Sequence, residues 1–522
     1  MKLKTILEKI DFELIQGNLD TEVSDIQNDS RKVTEGNLFF CITGAKSDGH
    51  EYAKDVVAKG AAVLIVEKPV NVPESVTVCK VESSRYAMAM ISAAFYGYPS
   101  EQMTVIGITG TKGKTTTTYM IRSMLEAAGH KTGLIGTIES IIGDQVIPSP
   151  NTTPESMVLQ RRLREMVDAG LDSVVMEVSS QGLMLDRVAG VDFDYGIFTN
   201  LSEDHIGPNE HKDFADYLGW KSKLFTMCKT GIFNLDDPYC EQIMEGHTCD
   251  VVTFGKNAQA DYRAYDLQLF EKDGSLGISY RLKITAAADL MSGIEGEGLG
   301  DAGDRGGASG DKVVVGMPGE FSLYNSLSAI AVARRMGVPM KEVLEILKNI
   351  RVKGRVELIP ISDAFTLLID YAHNAVSLES ILKTLRAYEP GRLISLFGCG
   401  GNRSKVRRFE MGEASGHLAD LTIITSDNPR DEDPQAIIDD IKTGIAKTDG
   451  AYVEIPDRKE AIRYAILHAE KGDVIVLAGK GHEDYQEIKG VKYPMDERNL
   501  IRDILEEEDV SKICGYNSGY FS

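Results

Sequence analysis

No CxxC pair occurs in this chain, and its seven cysteines are scattered through 522 residues. That argues against a paired-thiolate motif and for reduced thiols in a cytoplasm. Also missing is any apolar run of roughly eighteen residues, so no membrane-spanning helix is expected. The opening sixteen residues are broken by Lys4, Glu8, Lys9, Asp11 and Glu13 and hold no signal-peptide core. Positive charge is in deficit: 57 Lys and Arg stand against 79 Asp and Glu, a formal net charge of −22. Such a balance opposes broad binding to nucleic acid or anionic membranes, while local basic clusters can still hold small anions.

What the chain does have is an ordinary globular composition, 43% hydrophobic and 26% charged. Its length suggests about three domains, each with its own core. The first, over 1–99, carries apolar runs at 38–42 and 62–66 that read as buried strands, and Tyr98-Pro99-Ser100 reads as a linker. The second, over 100–351, opens with a strand at 103–108. A Gly/Thr/Lys loop follows, then a helix with Met120, Ile121, Met124 and Leu125 at helical spacing and Gly129 as its C-cap. Another strand covers 174–178. Within this region 287–312 has eight glycines and few bulky apolar residues, and reads as a flexible surface insertion. The third domain, 352–522, alternates apolar runs near 367–369, 393–397, 422–424 and 474–477 with helical stretches. The fold class expected is α/β: a central phosphate-loop domain on a parallel sheet, a C-terminal doubly wound domain and an N-terminal α/β domain. Ligands of such sheets sit beyond the carboxyl ends of strands, where the polar motifs of this chain fall.

Gly110-Thr111-Lys112-Gly113-Lys114-Thr115, followed by Thr116, lies between a strand and a helix. Glycines let backbone N–H groups approach phosphate oxygens, and the helix N-terminus adds partial positive charge. Lys114 can reach the β- and γ-phosphates of a nucleotide, and the Thr115 hydroxyl can hold Mg²⁺. The match to GxxxxGK[ST] is partial, because Ile108 stands where the first glycine is usual. A carboxylate at Glu177, at a strand end, can complete a Mg²⁺ site with Thr115. Taken singly, Glu177, His205 and Lys221 are ordinary loop or surface residues. Arg407 and Arg408, after the glycine-rich Gly398–Arg403 stretch, read as a solvated basic face.

Taken together, GTKGKTTT, NTTPE, EVSSQGL, TNLSEDH, the Lys221 segment, KGRVE and DYAHN resemble the Mur ligase family, in that family's order and over almost the whole chain. The resemblance implies a three-domain, ATP- and Mg²⁺-dependent ligase of peptidoglycan precursor synthesis, acting as a cytoplasmic monomer. The substrate implied is UDP-MurNAc-L-Ala-D-Glu, to which a third residue, meso-diaminopimelate, is added. By the same resemblance, Ser30 and His50 belong to the uridine-binding segment, and Thr152, Thr153, Ser179 and Arg187 hold the muramoyl-peptide part. Thr115 and Glu177 match one Mg²⁺ site and His205 a second. Lys221 matches a lysine carbamylated to N6-carboxylysine, and Lys114 serves catalysis with it and His205. Asn325, Arg355 and Asp370 match nucleotide contacts.

For the amino acid, Arg403, the tetrapeptide Asp427-Asn428-Pro429-Arg430, Gly479 and Glu483 match binding positions. DNPR marks family members that use diaminopimelate. The physics agrees, since Arg430 can grip its second carboxylate bidentately and lysine has no such group. The chain departs from the family at Ile206–His211, Gly219-Trp220, Ala375 and Asn402, and in the 287–312 segment. The alternatives are the same ligase using L-lysine or another amino acid, a folylpolyglutamate synthetase or other Mur-type ligase, and a nucleotide-binding module without ligase activity.

Overall fold

The computed structural model describes the chain except residues 45–46, 205, 208–209, 273, 286–287, 289–309 and 518–522. His205 and most of the 287–312 segment therefore lie outside the described residues. At the end of that segment, Asp311 and Lys312 pair with Leu282 and Arg281 in an antiparallel ladder, so they belong to a strand and not to a loop. Two compact units emerge: Met1–Arg263, Ile284–Gly296 and Leu327–Glu342 form one; Ala264–Lys283, Glu297–Ser326 and Val343–Ser522 form the other.

The first unit holds two sheets. In the N-terminal one, strands Ile26–Gln27, Leu38–Phe40, Val63–Val66 and Thr77–Lys80 run parallel, with Glu13–Gln16 antiparallel at the edge. Tyr98 to Gln102 is no open linker: Pro99–Gln102 is a 3-10 turn in which Pro99 and Ser100 are buried. The second sheet is built on Thr104–Thr109. Ser173–Glu177 and Phe193–Phe198 flank it in parallel, Thr132–Ile135 lies beyond the former, and Cys228–Asn234 and Asp250–Gly255 lie beyond the latter. Every residue of Ser173–Glu177 is buried. A strand covered on both faces needs no polar side, which is why Val174, Val175 and Met176 follow one another without alternation.

The second unit carries a parallel sheet in the order Thr366–Asp370, Val474–Ala478, Leu393–Phe397, Leu421–Ile424, Tyr452–Glu454, with Glu357–Leu358 antiparallel at one edge. The last long strand is inserted beside the first, so the winding reverses there. Helices cover both faces, and their apolar stripes bury Leu378, Ile381, Leu382 and Leu385 on one side and Ile462, Ile466, Ile501 and Ile504 on the other. Asp433 caps helix Pro434–Ile445 by accepting the Gln435 N–H at 3.0 Å, as its sequence position suggests. Across the described residues no helix is long and apolar enough to cross a membrane. All seven cysteines carry free thiols, and all but Cys514 are buried.

Candidate active site

In the first unit, the turn after Thr104–Thr109 is shaped by glycine. Gly110 and Gly113 have φ of +144° and +87°, conformations that side chains rarely adopt, and helix Lys114–Ala127 starts directly after them. The segment following Phe193–Phe198 clamps this loop. Asn200 accepts the Lys112 N–H through Oδ1 (3.0 Å) and donates from Nδ2 to the Lys112 carbonyl (2.9 Å), while the Thr199 hydroxyl donates to the same carbonyl at 2.8 Å. Lys114 Nζ folds back onto the carbonyls of Gly110 and Thr111, at 2.9 and 3.1 Å. Thr116 is buried behind it.

Glu177 is not the solvated acid that its loop position would suggest when read singly. It is 1% exposed and accepts hydrogen bonds from Thr115 Oγ1 (3.0 Å), the Thr137 N–H (2.8 Å) and the Thr137 hydroxyl (3.0 Å). Paired hydroxyl and carboxylate oxygens are a hard donor set that fits Mg²⁺, a cation that otherwise keeps its waters and takes phosphate oxygens. Thr137 also meets Thr152, Oγ1 to Oγ1 at 3.1 Å. Thr153 donates to the Glu177 carbonyl and accepts the Ser179 N–H, and Ser179 caps the next short helix at the Gly182 N–H. Arg187 donates to the Thr153 carbonyl and pairs with Glu155 at 2.6 Å. Thr152, Thr153, Glu177, Ser179 and Arg187 thus form one hydrogen-bonded set, bridged by Thr137, which its sequence context did not single out.

Lys221, which composition alone would place on the surface, is 1% exposed. Its Nζ donates to the Gly110 carbonyl at 2.9 Å and lies 4.6 Å from the centre of the Tyr217 ring. Burial pushes its pKa well below the ordinary lysine value, and the Lys114 charge pushes the same way against Asp204. Near the N-terminus, His50 Nε2 accepts the Glu67 N–H at 3.0 Å, so Nδ1 bears the proton shared with Asp48 at 2.6 Å. Both ring nitrogens are therefore tied within the fold. Ser30 is partly exposed, and its carbonyl takes the Lys59 ammonium.

In the second unit, the candidate residues other than Asn325 and Arg355 lie at the ends of four parallel strands or in the loops beyond them. Asp370 ends its strand and accepts the N–H groups of Val356 (2.8 Å) and Ala372 (2.9 Å), while burial raises its pKa against the pull of Arg355. The Arg355 guanidinium lies 4.9 Å from the Tyr371 ring centre. Asn325 is buried within helix Glu320–Arg335, and Arg403 is exposed on the glycine-rich loop.

DNPR meets the Gly479–Glu483 loop through a residue not foreseen, Lys480, which is fully buried. Lys480 Nζ donates to Asn428 Oδ1 (2.9 Å), Glu483 Oε2 (2.9 Å) and the Tyr485 carbonyl. Asn428 Nδ2 donates to the same Glu483 oxygen at 2.8 Å. Asp427 accepts the Asn428 N–H at 2.6 Å and faces Gly479, whose φ is +106°. Pro429 is buried against Gly401, where any side chain would collide with the Pro429 carbonyl. Arg430 Nε donates to Glu487 at 3.0 Å and Nη1 to the Gly401 carbonyl at 2.7 Å. Arg408 departs from the solvated-face reading: it is 1% exposed and salt-bridged to Glu432 and Asp440 at 2.8 and 2.9 Å. Those acids lie 24 and 32 residues away, so local sequence could not reveal the pairing. Arg407, beside it, is partly exposed.

Comparison with known proteins identifies relatives along the whole chain. Three family models match: the Mur ligase family, catalytic domain, over 22–96; the Mur ligase middle domain over 108–333; and the Mur ligase, glutamate ligase domain over 354–481. The chain is 42% identical over 513 residues to a UDP-N-acetylmuramoyl-L-alanyl-D-glutamate–2,6-diaminopimelate ligase of Clostridium perfringens, covering 97% of this chain and 100% of the relative. A protein of the same name from Caldanaerobacter subterraneus is 42% identical over 510 residues, covering 98% and 100%. A solved structure of a ligase so named superposes with a TM-score of 0.69 at 27% identity, covering 97% of this chain and 99% of that one. The fold is shared more distantly with the MurF ligase of Thermotoga maritima in complex with ADP (TM-score 0.56, 18% identity, 88% and 94% covered). With likeness of this degree running the length of the molecule, the chain belongs to the Mur ligase family.

Proposed function

We propose that this ligase joins meso-2,6-diaminopimelate to UDP-MurNAc-L-Ala-D-Glu at the expense of ATP, in the cytoplasmic synthesis of peptidoglycan precursors. The observation that carries the reading is the meeting of DNPR with the Gly479–Glu483 loop. There the anion Glu483 is bonded to a buried Asn428–Lys480 hub, and the cation Arg430 is tied to the same hub through Glu487, whose N–H donates to Asn428 Oδ1. An amino acid whose far end bears both a carboxylate and an ammonium complements such a pair. The names of full-length relatives support the same substrates.

In this reading, domain 1–99 takes the UDP end through Ser30 and His50. Thr152, Thr153, Ser179 and Arg187 hold the muramoyl-peptide. Gly110 to Thr116 cradle the ATP phosphates, with Asn325, Arg355 and Asp370 as further nucleotide contacts, and Arg403, Asp427, Asn428, Pro429, Arg430, Gly479 and Glu483 take diaminopimelate. The γ-carboxylate of D-glutamate attacks the γ-phosphorus of ATP, expelling ADP and leaving an acyl phosphate. The amine of diaminopimelate then attacks the acyl carbon, expels phosphate and loses a proton to give the amide. Lys114, leaving the loop carbonyls for phosphate, offsets the charge that gathers when carboxylate meets polyphosphate. Thr115 and Glu177 would hold Mg²⁺, with His205 at a second ion, and bound there the cations withdraw charge from phosphate oxygens.

Lys221 is the residue to be carbamylated. Burial beside Lys114 lowers its pKa and so favours the neutral, nucleophilic form of the amine. Attack on CO₂ forms the N–C bond and releases one proton, and the carbamate so made is an anion that the Lys114 cation stabilises.

The test is phosphate release from ATP, Mg²⁺ and UDP-MurNAc-L-Ala-D-Glu, with meso-diaminopimelate or L-lysine supplied in parallel. Release should depend on diaminopimelate and yield a tripeptide by mass. Arg430→Ala should lower kcat/KM for diaminopimelate by about a hundredfold, as expected for losing a charge-assisted pair. Preference for lysine would overturn the amino-acid assignment, and no release with either would overturn the reaction.

A further inference from the structure

Arg430 already has a carboxylate partner inside the protein. The hairpin Tyr485–Ile488/Val491–Pro494 docks on the DNPR turn by backbone: the Arg430 N–H donates to the Glu487 carbonyl at 3.0 Å, and the Lys489 N–H donates to the Arg430 carbonyl at 2.8 Å. Arg430 itself sits at φ +52°, a conformation that most side chains avoid, so the turn is held there by its surroundings. Other residues of the turn are gripped as well. Glu487 N–H donates to Asn428 Oδ1 at 2.9 Å, and Gln486 Nε2 donates to the Asp427 carbonyl at 2.7 Å. Glu487 therefore approaches from a backbone fixed on both sides, and its Oε2 takes the Arg430 Nε hydrogen at 3.0 Å.

A guanidinium has five N–H donors in a rigid fork. Here Nε is committed to Glu487 and one Nη1 hydrogen to the Gly401 carbonyl. Gly400 lies so close that a Cβ there would stand 3.0 Å from Nη1. The plane of the fork is thus fixed by two contacts and a bare backbone wall. Among the described residues no acceptor meets its outer edge, the second Nη1 hydrogen with Nη2, which leaves that edge to receive a carboxylate end-on. Both side chains are about a quarter or less exposed, at 21% for Arg430 and 25% for Glu487, enough for a ligand to reach them.

We propose that Glu487 is a positioning residue for amino-acid selection: it fixes the Arg430 fork so that its Nη edge meets the second carboxylate of the substrate. The inference rests on the reading of Arg430 given above. Without Glu487, the long arginine side chain regains its rotamers, and ordering them weakens each encounter with the carboxylate. Substrates lacking that carboxylate gain nothing from the fixed fork.

The experiment is steady-state kinetics of the full-length enzyme, with diaminopimelate and lysine varied separately, for wild type, Arg430→Ala, Glu487→Ala and Glu487→Gln. Glu487→Ala should raise KM for diaminopimelate about tenfold with kcat held within about twofold, and leave the lysine reaction unchanged. Glu487→Gln keeps an acceptor for the Arg430 Nε hydrogen and should lie near wild type, a rescue that a loss of fold would not give. Unchanged or lowered KM in Glu487→Ala overturns the proposal, and so do equal losses in the Ala and Gln variants. Should wild type fail to prefer diaminopimelate, or Arg430→Ala leave its KM unmoved, the substrate reading falls and this inference with it. Preference intact with a flat response at Glu487 sinks the inference alone.

Discussion

At Lys221, one side chain joins folding to chemistry. An ammonium 1% exposed, next to a second ammonium, gives up its proton easily. The folded state then binds fewer protons at this residue than the unfolded chain does. Stability consequently rises with pH between the lowered folded pKa and the usual lysine value near 10.5, and the group costs stability at neutral pH. In the mechanism proposed above, carbamylation would remove that cost, because it would place an anion beside Lys114 where a protonated Lys221 would be a second cation. Two outcomes follow. Enzyme equilibrated with ¹³C-bicarbonate should show a carbamate carbon by NMR that Lys221→Arg lacks, because a guanidinium does not react. Activity of Lys221→Ala should drop about 10²- to 10³-fold, the usual cost of one preorganised charged group, and short carboxylic acids should restore part of it. An unaltered NMR spectrum together with full activity in the alanine variant would remove Lys221 from the mechanism.

Among the elements, the carboxyl-end loops of the C-terminal sheet are pinned from below by one buried ion pair. Arg458, 1% exposed, donates to Glu497, 0% exposed, at 2.8 Å through Nη2, and reaches the carbonyls of Ser426 and Ala478. Those carbonyls immediately precede DNPR and Gly479, so the pair sets the height of both loops. Burial raises the pKa of Glu497, and Arg458 opposes that rise. Arg458→Met should destabilise the protein by about 3–5 kcal/mol, since it leaves a buried carboxylate uncompensated. Arg458→Met/Glu497→Leu should recover much of that in urea unfolding. Equal losses in the single and double variants would mean that packing, not charge, is what the arginine supplies. Sequence foretold the loops well, because apolar strands and polar loops at their ends are local patterns. Strand 393–397 was legible to the residue, and Glu177 was marked by its position at a strand end. Residues that act through distant partners were not legible. Arg458 meets Glu497 across 39 positions and Arg430 meets Glu487 across 57, and nothing in a short window signals either pair. Arg408 went unrecognised for the same reason, while Lys480 lay inside a recognised motif without showing that it was buried.

Over the whole molecule, a net charge of −22 sets a problem for an enzyme whose proposed substrates are ATP and a UDP-linked acid. At about 10 mM ionic strength the Debye length is roughly 30 Å, so an approaching nucleotide feels most of the excess acids. Near 100 mM it is about 10 Å, and only the neighbourhood of Lys114 and Arg187 counts. Buried contacts are screened much less than this outer field. Rising salt should therefore first help the anionic substrates: kcat/KM for UDP-MurNAc-L-Ala-D-Glu should increase by roughly twofold or more between those two conditions, and decline only at higher salt. Diaminopimelate, with two carboxylates and two ammonium groups, carries no net charge at neutral pH, and its KM should stay nearly flat over the same interval. It serves as the internal control, measured in the same assay at fixed Mg²⁺. A fall in kcat/KM for the UDP-linked substrate from the lowest salt onward would show that a local basic field outweighs the net charge even at long range. The acidic surface would then leave substrate capture unaffected.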